Sequence, residues 1–156
     1  EGISVELHLV GGGDSQALKI MWDAIQRNKS EKNFIFYHGS LPYEQTLEWY
    51  HKADIFVFPS TCETFGISLL EAMTAGLPIA SSDRGPMPEI LKDAGLYFNP
   101  ESVTSIKKCL RYMIENPDLM QSLGSKAKKY SENYSWGKCA DETFAFLSNV
   151  YEKNKT

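Results

Sequence analysis

The sequence predicts an α/β domain, in which a parallel sheet is covered by helices on both faces and is followed by three helices. Three observations support this prediction. Strand-like runs alternate with helix-like segments over residues 3–98, the links between them are short, and residues 101–152 carry only helical spacing. Such alternation is typical of parallel sheets, because each crossover lays a helix on a sheet face. A length of 156 residues and a hydrophobic content of 42% fit a single domain with a substantial core.

The alternating part contains five strand-like and four helix-like segments. Apolar, β-branched or aromatic runs bounded by turn residues predict strands at 4–10, 33–38, 54–58, 77–83 and 95–100. Helical spacing and helix-ending residues predict helices at 15–28, 43–53, 66–76 and 85–91. The segment DIFVFPS (54–60) is a continuous apolar run bounded by turn residues, which is expected of a strand buried on both faces.

The tail from 101 to 152 predicts three helices. The second begins at Asn116 and Pro117, and the third begins at Ser135 and Trp136. Spacings of three and four residues predict that one apolar stripe of each helix packs in the core. The stripes are, in order, Val103, Ile106, Leu110 and Met113; Leu119, Met120, Leu123 and Ala127; and Ala140, Phe144, Leu147 and Tyr151.

Composition and charge exclude several classes of protein. The net charge of −4 gives no general attraction to nucleic acid. No apolar run approaches the ~18–20 residues of a membrane span, and no secretory signal opens the chain. Three cysteines, an odd number without metal-type spacing, predict a reducing, cytoplasmic location and no metal site.

Two glutamates raise the question of function. Glu71 lies in a segment, 66–76, that is apolar nearly all round, as in a buried helix. Burying an unpaired carboxylate costs several kcal/mol, so Glu71 must pair with a cation, accept hydrogen bonds or face a polar cleft. Ser68, three residues earlier, shares its helix face. A ligand rich in hydroxyl groups, such as a ribose, would supply donors, while a structural ion pair or a helix cap is the competing interpretation.

The start of the same helix predicts an anion site. Gly66 has no Cβ, so its backbone can approach a ligand closely. The first amides of a helix lack intrahelical acceptors and point toward an anion. A phosphate near Gly66 and Ile67 and a sugar hydroxyl near Glu71 would then belong to one nucleotide. Glu63 would project beyond the phosphates.

The ordered set of motifs resembles one known family. The segment ETFGISLLEAMTAGLPI (63–79) is similar to the E-x7-E segment of retaining nucleotide-sugar glycosyltransferases of the GT-B fold, family 4. LHLVGGGD resembles the family's strand and glycine loop, and FYHGSLPYEQTLEWYHKADIFVFPS resembles its base-binding strand, helix and following strand. Three later segments also follow the order of the family's motifs: SSDRGPMPEIL, GLYFNP and the late YSW. The resemblance covers residues 5–150.

The resemblance implies a role for each matching position. Glu63 would contact the donor sugar at the reacting face, and Glu71 would hold the ribose hydroxyls, with Ser68 beside it. Backbone groups of Phe65, Gly66 and Ile67 would hold the diphosphate or sugar. Those of Gly39, Ser40 and Leu41 would line the base. Those of Gly11, Gly12 and Gly13 would form the edge of the cleft. The family is thought to use no protein nucleophile, because the leaving phosphate guides the acceptor onto the same face. No cofactor and no metal are implied.

The resemblance also predicts what surrounds this domain. The family carries an Arg and a Lys-Gly pair upstream of LHLVGGGD, and its amino-terminal domain binds the acceptor; neither is in this sequence. We therefore expect residues 1–156 to be the donor-binding half of a longer enzyme, inactive alone, that uses a UDP-sugar, a GDP-sugar or a similar donor. The acceptor would be a glycan or a lipid-linked molecule bound by the amino-terminal domain. Pro86 replaces a common second glycine and removes one backbone donor.

Peripheral contact with the inner membrane face is a further expectation, because many relatives act on lipid-linked acceptors. The basic cluster of Lys126, Lys128 and Lys129 is the candidate surface, and a solvated helix face is the simpler interpretation.

Other functions remain as alternatives. A sugar-nucleotide epimerase would share the GT-B architecture, and a non-catalytic nucleotide-binding domain would share the site. An NAD-type oxidoreductase requires G-x-G-x-x-G, but Gln16 stands where the third glycine belongs. A P-loop fails because Glu132 stands where its first glycine is required.

The three histidines differ in their expected surroundings. We expect His8 to pack in a strand and His51 to lie on the surface. His38 ends a strand beside the cleft, and the sequence assigns it no role.

Overall fold

The computed structural model describes residues 3–28 and 34–155, so the first residue of the strand predicted at 33–38 lies outside the described part. The chain divides into two compact units, Glu1–Trp49 and Tyr50–Thr156, which are called unit 1 and unit 2 below. All strand pairings are parallel, and the strands form a two-stranded sheet and a three-stranded sheet. The predicted α/β class with parallel strands and a helical tail is confirmed.

Unit 1 contains the first sheet. Strand β1 (Leu7–Val10) is followed by helix α1 (Ser15–Arg27), strand β2 (Ile35–Gly39) and the start of helix α2 (Tyr43–Lys52). Leu7 pairs with Ile35, and the register shifts between Leu9 and Val10. Asp14 caps α1 by accepting a hydrogen bond from the Ala17 amide at 2.8 Å. None of the described residues of unit 1 is buried.

Unit 2 contains the second sheet, in the order β3-β4-β5. Its elements are β3 (Phe56–Phe58), α3 (Ile67–Ala75), β4 (Ile79–Ser82), α4 (Met87–Leu91), β5 (Leu96–Phe98), α5 (Val103–Ile114), α6 (Pro117–Ser131) and α7 (Trp136–Lys153). All four residues of the central strand β4 are buried, whereas only Phe58 is buried in β3. The prediction that 54–58 is buried on both faces was wrong, because the faces of β3 are covered only in part: Phe56 and Val57 are half-buried.

The core of unit 2 lies between β4 and the helices α3, α4, α5 and α6. Its fully buried side chains include Leu69, Met73, Ile79, Met87, Leu91, Phe98 and Met113. Gly76 ends α3 in the left-handed conformation, with φ of 77°, as its position after the apolar helix predicts. A Cβ on Gly124 of α6 would overlap the carbonyl oxygen of Gly76, so the backbones of α3 and α6 are in direct contact there.

The three tail helices form where predicted, but only two of them pack as predicted. Met113 of α5 and Leu123 and Ala127 of α6 are buried. In α7 no described residue is buried, and Phe144 and Tyr151 are 70% and 64% exposed. The prediction that the stripe of Ala140, Phe144, Leu147 and Tyr151 packs in the core was therefore wrong. Helical spacing identifies an amphipathic helix but not the surface that covers it, and within the described residues no element covers α7.

Val103 also departs from its predicted stripe. It stands at the first position of α5 and is 81% exposed, whereas Ile106 and Leu110 pack against the cluster around Met113. None of the helices in the described part of the chain is both long and apolar enough to cross a membrane.

The basic cluster on α6 is partly neutralised. Asp93 accepts hydrogen bonds from the Lys126 ammonium and the Tyr130 hydroxyl. The bond from Lys126, and after it the bond from Tyr130, holds the pKa of the Asp93 carboxyl below its usual value. In turn, the bond to Asp93 raises the pKa of Lys126. Lys128 and Lys129 are exposed. The cluster is thus one ion pair and two solvated lysines.

Candidate functional site

The start of α3 has the geometry expected of an anion site. Gly66 precedes the helix with φ of 90°, a left-handed conformation that favours glycine, and no side chain caps the helix start. A Cβ at this position would lie 3.4 Å from the Phe58 ring, so there is also little room for a larger residue. Phe65 and Ile67 on either side are 36% and 55% exposed. The amides of Leu69 and Leu70 donate to the Gly66 carbonyl oxygen at 3.0 and 3.2 Å, so an anion at this helix start would be met by the preceding amides of Ile67 and Ser68.

Glu71 is half-buried one turn into α3, and its partner is a hydroxyl group. The Tyr50 hydroxyl donates to Oε2 of Glu71 at 3.0 Å and lies 3.4 Å from the carbonyl oxygen of Ser68. Tyr50 itself is 9% exposed. The partner that the structure gives to Glu71 is thus not a Lys or Arg, and a tyrosine hydroxyl leaves the negative charge of the carboxylate in place. This arrangement favours the polar-cleft interpretation over a structural ion pair.

Glu63 lies in the loop between β3 and α3 and is half-buried. Gly85, in the loop after β4, packs against the Glu63 backbone: a Cβ on Gly85 would lie 3.7 Å from the Glu63 carbonyl oxygen. Gly85 has φ of 56°, so a larger residue there would be strained as well. The loops that follow neighbouring parallel strands β3 and β4 meet at one edge of the sheet, which is where α/β proteins place ligands.

Arg84 anchors the second of these loops. Its guanidinium donates to the Asp83 carboxylate at 3.1 Å and to the Glu101 carboxylate at 3.2 Å, and its amide donates to the Ser82 hydroxyl. The two carboxylates already compensate its charge. Arg84 is therefore suited to holding the loop in place rather than to attracting an anion.

Unit 1 brings its own predicted residues together. The Gly11 amide donates to the Gly39 carbonyl oxygen at 2.8 Å. A Cβ on Gly12 would lie 2.6 Å from the Ser40 hydroxyl oxygen. Gly13 is exposed at the end of the same loop, and Leu41 is half-buried after Ser40. The glycine loop after β1 and the segment after β2 thus form one surface at the carboxyl ends of the two strands.

The histidines of unit 1 form a pair that the sequence did not predict. His8 Nδ1 and His38 Nε2 share a hydrogen bond at 3.0 Å, and His8 Nε2 bonds Oε2 of Glu6 at 3.1 Å. Both rings pack against Trp49, with centroids 4.5 and 4.2 Å away. His8 is therefore packed, as expected, and His51 is exposed. Alternation places residues 8 and 38 on defined strand faces, but it does not reveal which residues of two strands become neighbours.

Tyr50 and Gly85 were absent from the predicted site. Tyr50 stands 21 positions before Glu71, and no local period links a residue at the end of one helix to the middle of the next. A signal for Gly85 did exist, since the loop at 82–87 follows a predicted parallel strand and so belongs to the ligand edge. Gly85 could have been included from that position alone.

Comparison with known proteins supports the assignment of the family. The family model described as "Glycosyl transferases group 1" matches residues 1–130. The chain is 30% identical over 124 residues to the O-antigen chain mannosyltransferase B of Escherichia coli, covering 80% of this chain and 32% of that protein. It is 32% identical over 103 residues to the sulfoquinovosyl transferase SQD2 of Arabidopsis thaliana, covering 63% of this chain and 20% of that protein. The chain therefore spans a third or less of these relatives.

Solved structures share the fold. Sucrose-phosphate synthase from Thermosynechococcus elongatus superposes with a TM-score of 0.81 at 21% identity, over 96% of this chain and 39% of that one. HepE from Anabaena, crystallised with UDP-glucose, gives a TM-score of 0.81 at 21% identity, over 93% of this chain and 41% of that one. At these identities the likeness establishes the fold alone. The match of the family model over most of the sequence goes further, and it shows that this chain belongs to the group 1 glycosyl transferases.

Proposed function

We propose that this chain is the carboxy-terminal, donor-binding domain of a retaining glycosyltransferase of family 4, which transfers a sugar from a nucleoside-diphosphate sugar to a glycan or lipid-linked acceptor. The observation that carries the proposal is the arrangement on α3. An uncapped helix start at Gly66 and a half-buried carboxylate at Glu71 lie within two turns of one helix. The first suits a diphosphate and the second suits a ribose.

The remaining site residues extend this assignment. Glu63, packed against Gly85, would contact the donor sugar beyond the diphosphate. The surface formed by Gly11, Gly12 and Ser40 would line the base and the cleft edge. Two of the similar proteins support a nucleotide-sugar donor: the HepE structures contain UDP or UDP-glucose, and the E. coli relative is named as a mannosyltransferase. A cytoplasmic location and peripheral membrane contact through Lys128 and Lys129 belong to the same proposal.

Retention follows from the chemistry that the resemblance implies. The bond between the anomeric carbon and the donor phosphate breaks, the acceptor oxygen bonds to that carbon on the face the phosphate has left, and the phosphate takes the proton of the acceptor hydroxyl, so no protein nucleophile is needed. Glu63 would contact the sugar without forming a covalent bond to it. No cofactor or metal enters this scheme.

Nucleotide binding to this chain tests the proposal. Isothermal calorimetry or ligand-observed NMR with UDP and GDP should detect weak binding to one of them and no sugar transfer. The upstream Arg and Lys of the family are not in this sequence, and hydrogen bonds to charged groups contribute ~1.5–3 kcal/mol each. Two such bonds correspond to two to four decades of affinity at about 1.4 kcal/mol per decade, so a micromolar site would become roughly millimolar.

A matched pair of variants assigns the binding to α3. Glu71→Gln removes the carboxylate that we place on the ribose, and Glu115→Gln removes one from the exposed end of α5. Only the first should weaken binding, by about tenfold, since a hydrogen bond to a charged group becomes one to a neutral amide. Equal effects of the two changes would contradict the site, and so would sub-micromolar binding of UDP or GDP to the wild-type chain.

A further inference from the structure

Tyr50 lies where it can control the proposed ribose contact, although nothing in its sequence position indicates it. The residue belongs to the last turn of α2, and its ring packs 5.6 Å from the Phe56 ring. The ring is 9% exposed, so it has little freedom to move. Its hydroxyl reaches α3, 3.0 Å from Oε2 of Glu71.

Two acceptors on α3 lie within reach of the hydroxyl, which has only one proton. The Glu71 oxygen is nearer, at 3.0 Å against 3.4 Å for the Ser68 carbonyl, and it is charged. Hydrogen bonds to a charged acceptor are the stronger ones, so the proton belongs on the bond to Glu71. Satisfying a buried phenol does not require a carboxylate, because the Ser68 carbonyl alone would serve. The bond therefore acts on Glu71, whose half-exposed side chain has several rotatable bonds and would otherwise sample more than one rotamer.

We propose that Tyr50 is a positioning residue for the nucleotide ribose: its hydroxyl holds Oε2 of Glu71, so that the carboxylate is oriented in advance to accept from the cis hydroxyl pair of a ribonucleotide. This inference rests on the proposed function, in which Glu71 binds the ribose. Oε1 is not engaged by Tyr50, and Oε2 retains a second lone pair. The preferred donors are then ribonucleoside diphosphate sugars rather than their 2′-deoxy counterparts.

The ratio of affinities for two probes measures this role. The probes are UDP and 2′-deoxy-UDP, or the corresponding guanosine pair if GDP is the nucleotide that binds. Wild-type protein should bind UDP about tenfold or more tightly than 2′-deoxy-UDP, because the deoxy probe lacks one of the two hydroxyl donors that we place on the Glu71 carboxylate. Tyr50→Phe keeps the ring and its packing but removes the hydroxyl. It should weaken UDP binding about tenfold and change 2′-deoxy-UDP binding less than threefold, so that the preference disappears.

A double-mutant cycle links the effect to Glu71. In a Glu71→Gln background, Tyr50→Phe should change UDP affinity less than twofold, because the acceptor charge that the hydroxyl orients is already gone. Tyr97→Phe is the control: it removes another tyrosine hydroxyl, bonded to the Lys92 carbonyl oxygen, and should leave the ratio unchanged. A purely structural role for Tyr50 would instead lower the melting temperature and both affinities together.

The outcomes separate this inference from the proposed function. If the wild type binds neither nucleotide, or binds both probes equally, the proposed role of Glu71 is wrong. If the wild type prefers UDP and Tyr50→Phe keeps the same preference, Tyr50 does not position the carboxylate. Should Tyr50→Phe fail to fold, a crystal structure of the wild type with UDP decides the point. The inference is supported if a ribose oxygen lies within hydrogen-bond distance of Glu71 while the Tyr50 hydroxyl still donates to Oε2. It is overturned if the bond between Tyr50 and Glu71 is broken in the complex.

Discussion

Gly124 of α6 faces Gly76 at the end of α3 so closely that a Cβ on Gly124 would overlap the Gly76 carbonyl oxygen. The atoms that a Cβ on Gly124 would meet are backbone atoms of Gly76 and Pro78, which cannot move aside as the end of a flexible side chain could. The close approach also requires the left-handed turn at Gly76. Two glycines, 48 positions apart in the sequence, therefore set the spacing of the helices beside the proposed nucleotide site.

Adding a methyl group at this contact should destabilise the protein. Gly124→Ala forces α6 away from α3, and overpacking of this kind costs ~1–3 kcal/mol. Gly137→Ala, in the first turn of the exposed helix α7, meets only the Ser135 hydroxyl oxygen, 4.0 Å away, and should change the unfolding free energy by about 0.5 kcal/mol or less. Chemical denaturation of both variants measures the difference. Equal stabilities would contradict the close contact.

The hydrogen bonds of Asp93 should appear in the acid limb of the stability curve. The Lys126 ammonium and then the Tyr130 hydroxyl lower the pKa of Asp93 in the folded state. The stabilisation is therefore present above the unfolded pKa, near 3.8, and is lost as the pH falls through the lower folded pKa. Asp93→Asn should flatten this limb below pH 5 in denaturation curves, whereas Asp141→Asn, on exposed α7, should leave it unchanged. An unaltered acid limb in Asp93→Asn would refute the coupling.

Tyr97 should affect the alkaline limb with the opposite sign. Burial, with a contribution from Asp93, raises the pKa of Tyr97 from 10.0 to about 12. Because ionisation is harder in the folded state, the stabilisation is complete below pH 10 and is lost as the pH rises through about 12. Stability measured between pH 9 and 12 should therefore fall less steeply for Tyr97→Phe than for the wild type. The exposed Tyr43, changed to Phe, serves as the control, and a Tyr97→Phe slope like that of the wild type would count against the shift.

The exposed helix α7 should tolerate polar substitutions. Phe144→Ser combined with Leu147→Gln removes two side chains that are 70% and 53% exposed, so the unfolding free energy should change by less than about 1 kcal/mol. Leu123→Ala, in the core, should cost ~2–5 kcal/mol. Thermal unfolding of the 156-residue chain compares them. A loss in the double variant comparable with that of Leu123→Ala would show that α7 is packed after all.

Glu63 should affect turnover more than folding. In the full-length glycosyltransferase that we propose for this domain, Glu63→Ala removes the proposed contact with the donor sugar. Turnover should drop by about a hundredfold or more, as expected for a lost transition-state contact, while the melting temperature stays within a few degrees. Glu115→Ala is the matched control. Product analysis by mass spectrometry gives the readout, and undiminished turnover would remove Glu63 from the site.

Local patterns predicted the elements well, because their causes are local. The glycine after the apolar run at 67–75 ends α3, and Ser135 caps α7 by accepting from the Lys138 amide. Positions 63, 66 and 71 were proposed as site residues because one helix start and one carboxylate in an apolar helix fall within a single short segment, and their roles stay predictions. These features depend on neighbours within a few residues, so the sequence displays them directly.

Features that depend on distant partners were not predictable in the same way. The apolar run at 55–58 does not reveal how far the faces of β3 are covered. The stripe on α7 does not reveal what covers it. The bond from Tyr50 to Glu71 depends on how α2 and α3 are placed in three dimensions. In each case the missing information is the identity of the partner rather than the local conformation.

The uneven distribution of buried residues has a consequence for how the molecule opens. Every buried residue that the structure describes lies in unit 2, and the described residues of unit 1 contribute none. Opening free energies follow buried apolar contact, so backbone amides of β1 and β2 should exchange with deuterium much sooner than those of β4. Such behaviour describes two cooperative units within one polypeptide. A single melting temperature would then report on the unit that contains the helix of Gly66 and Glu71, while the glycine loops of unit 1 open and close well below it.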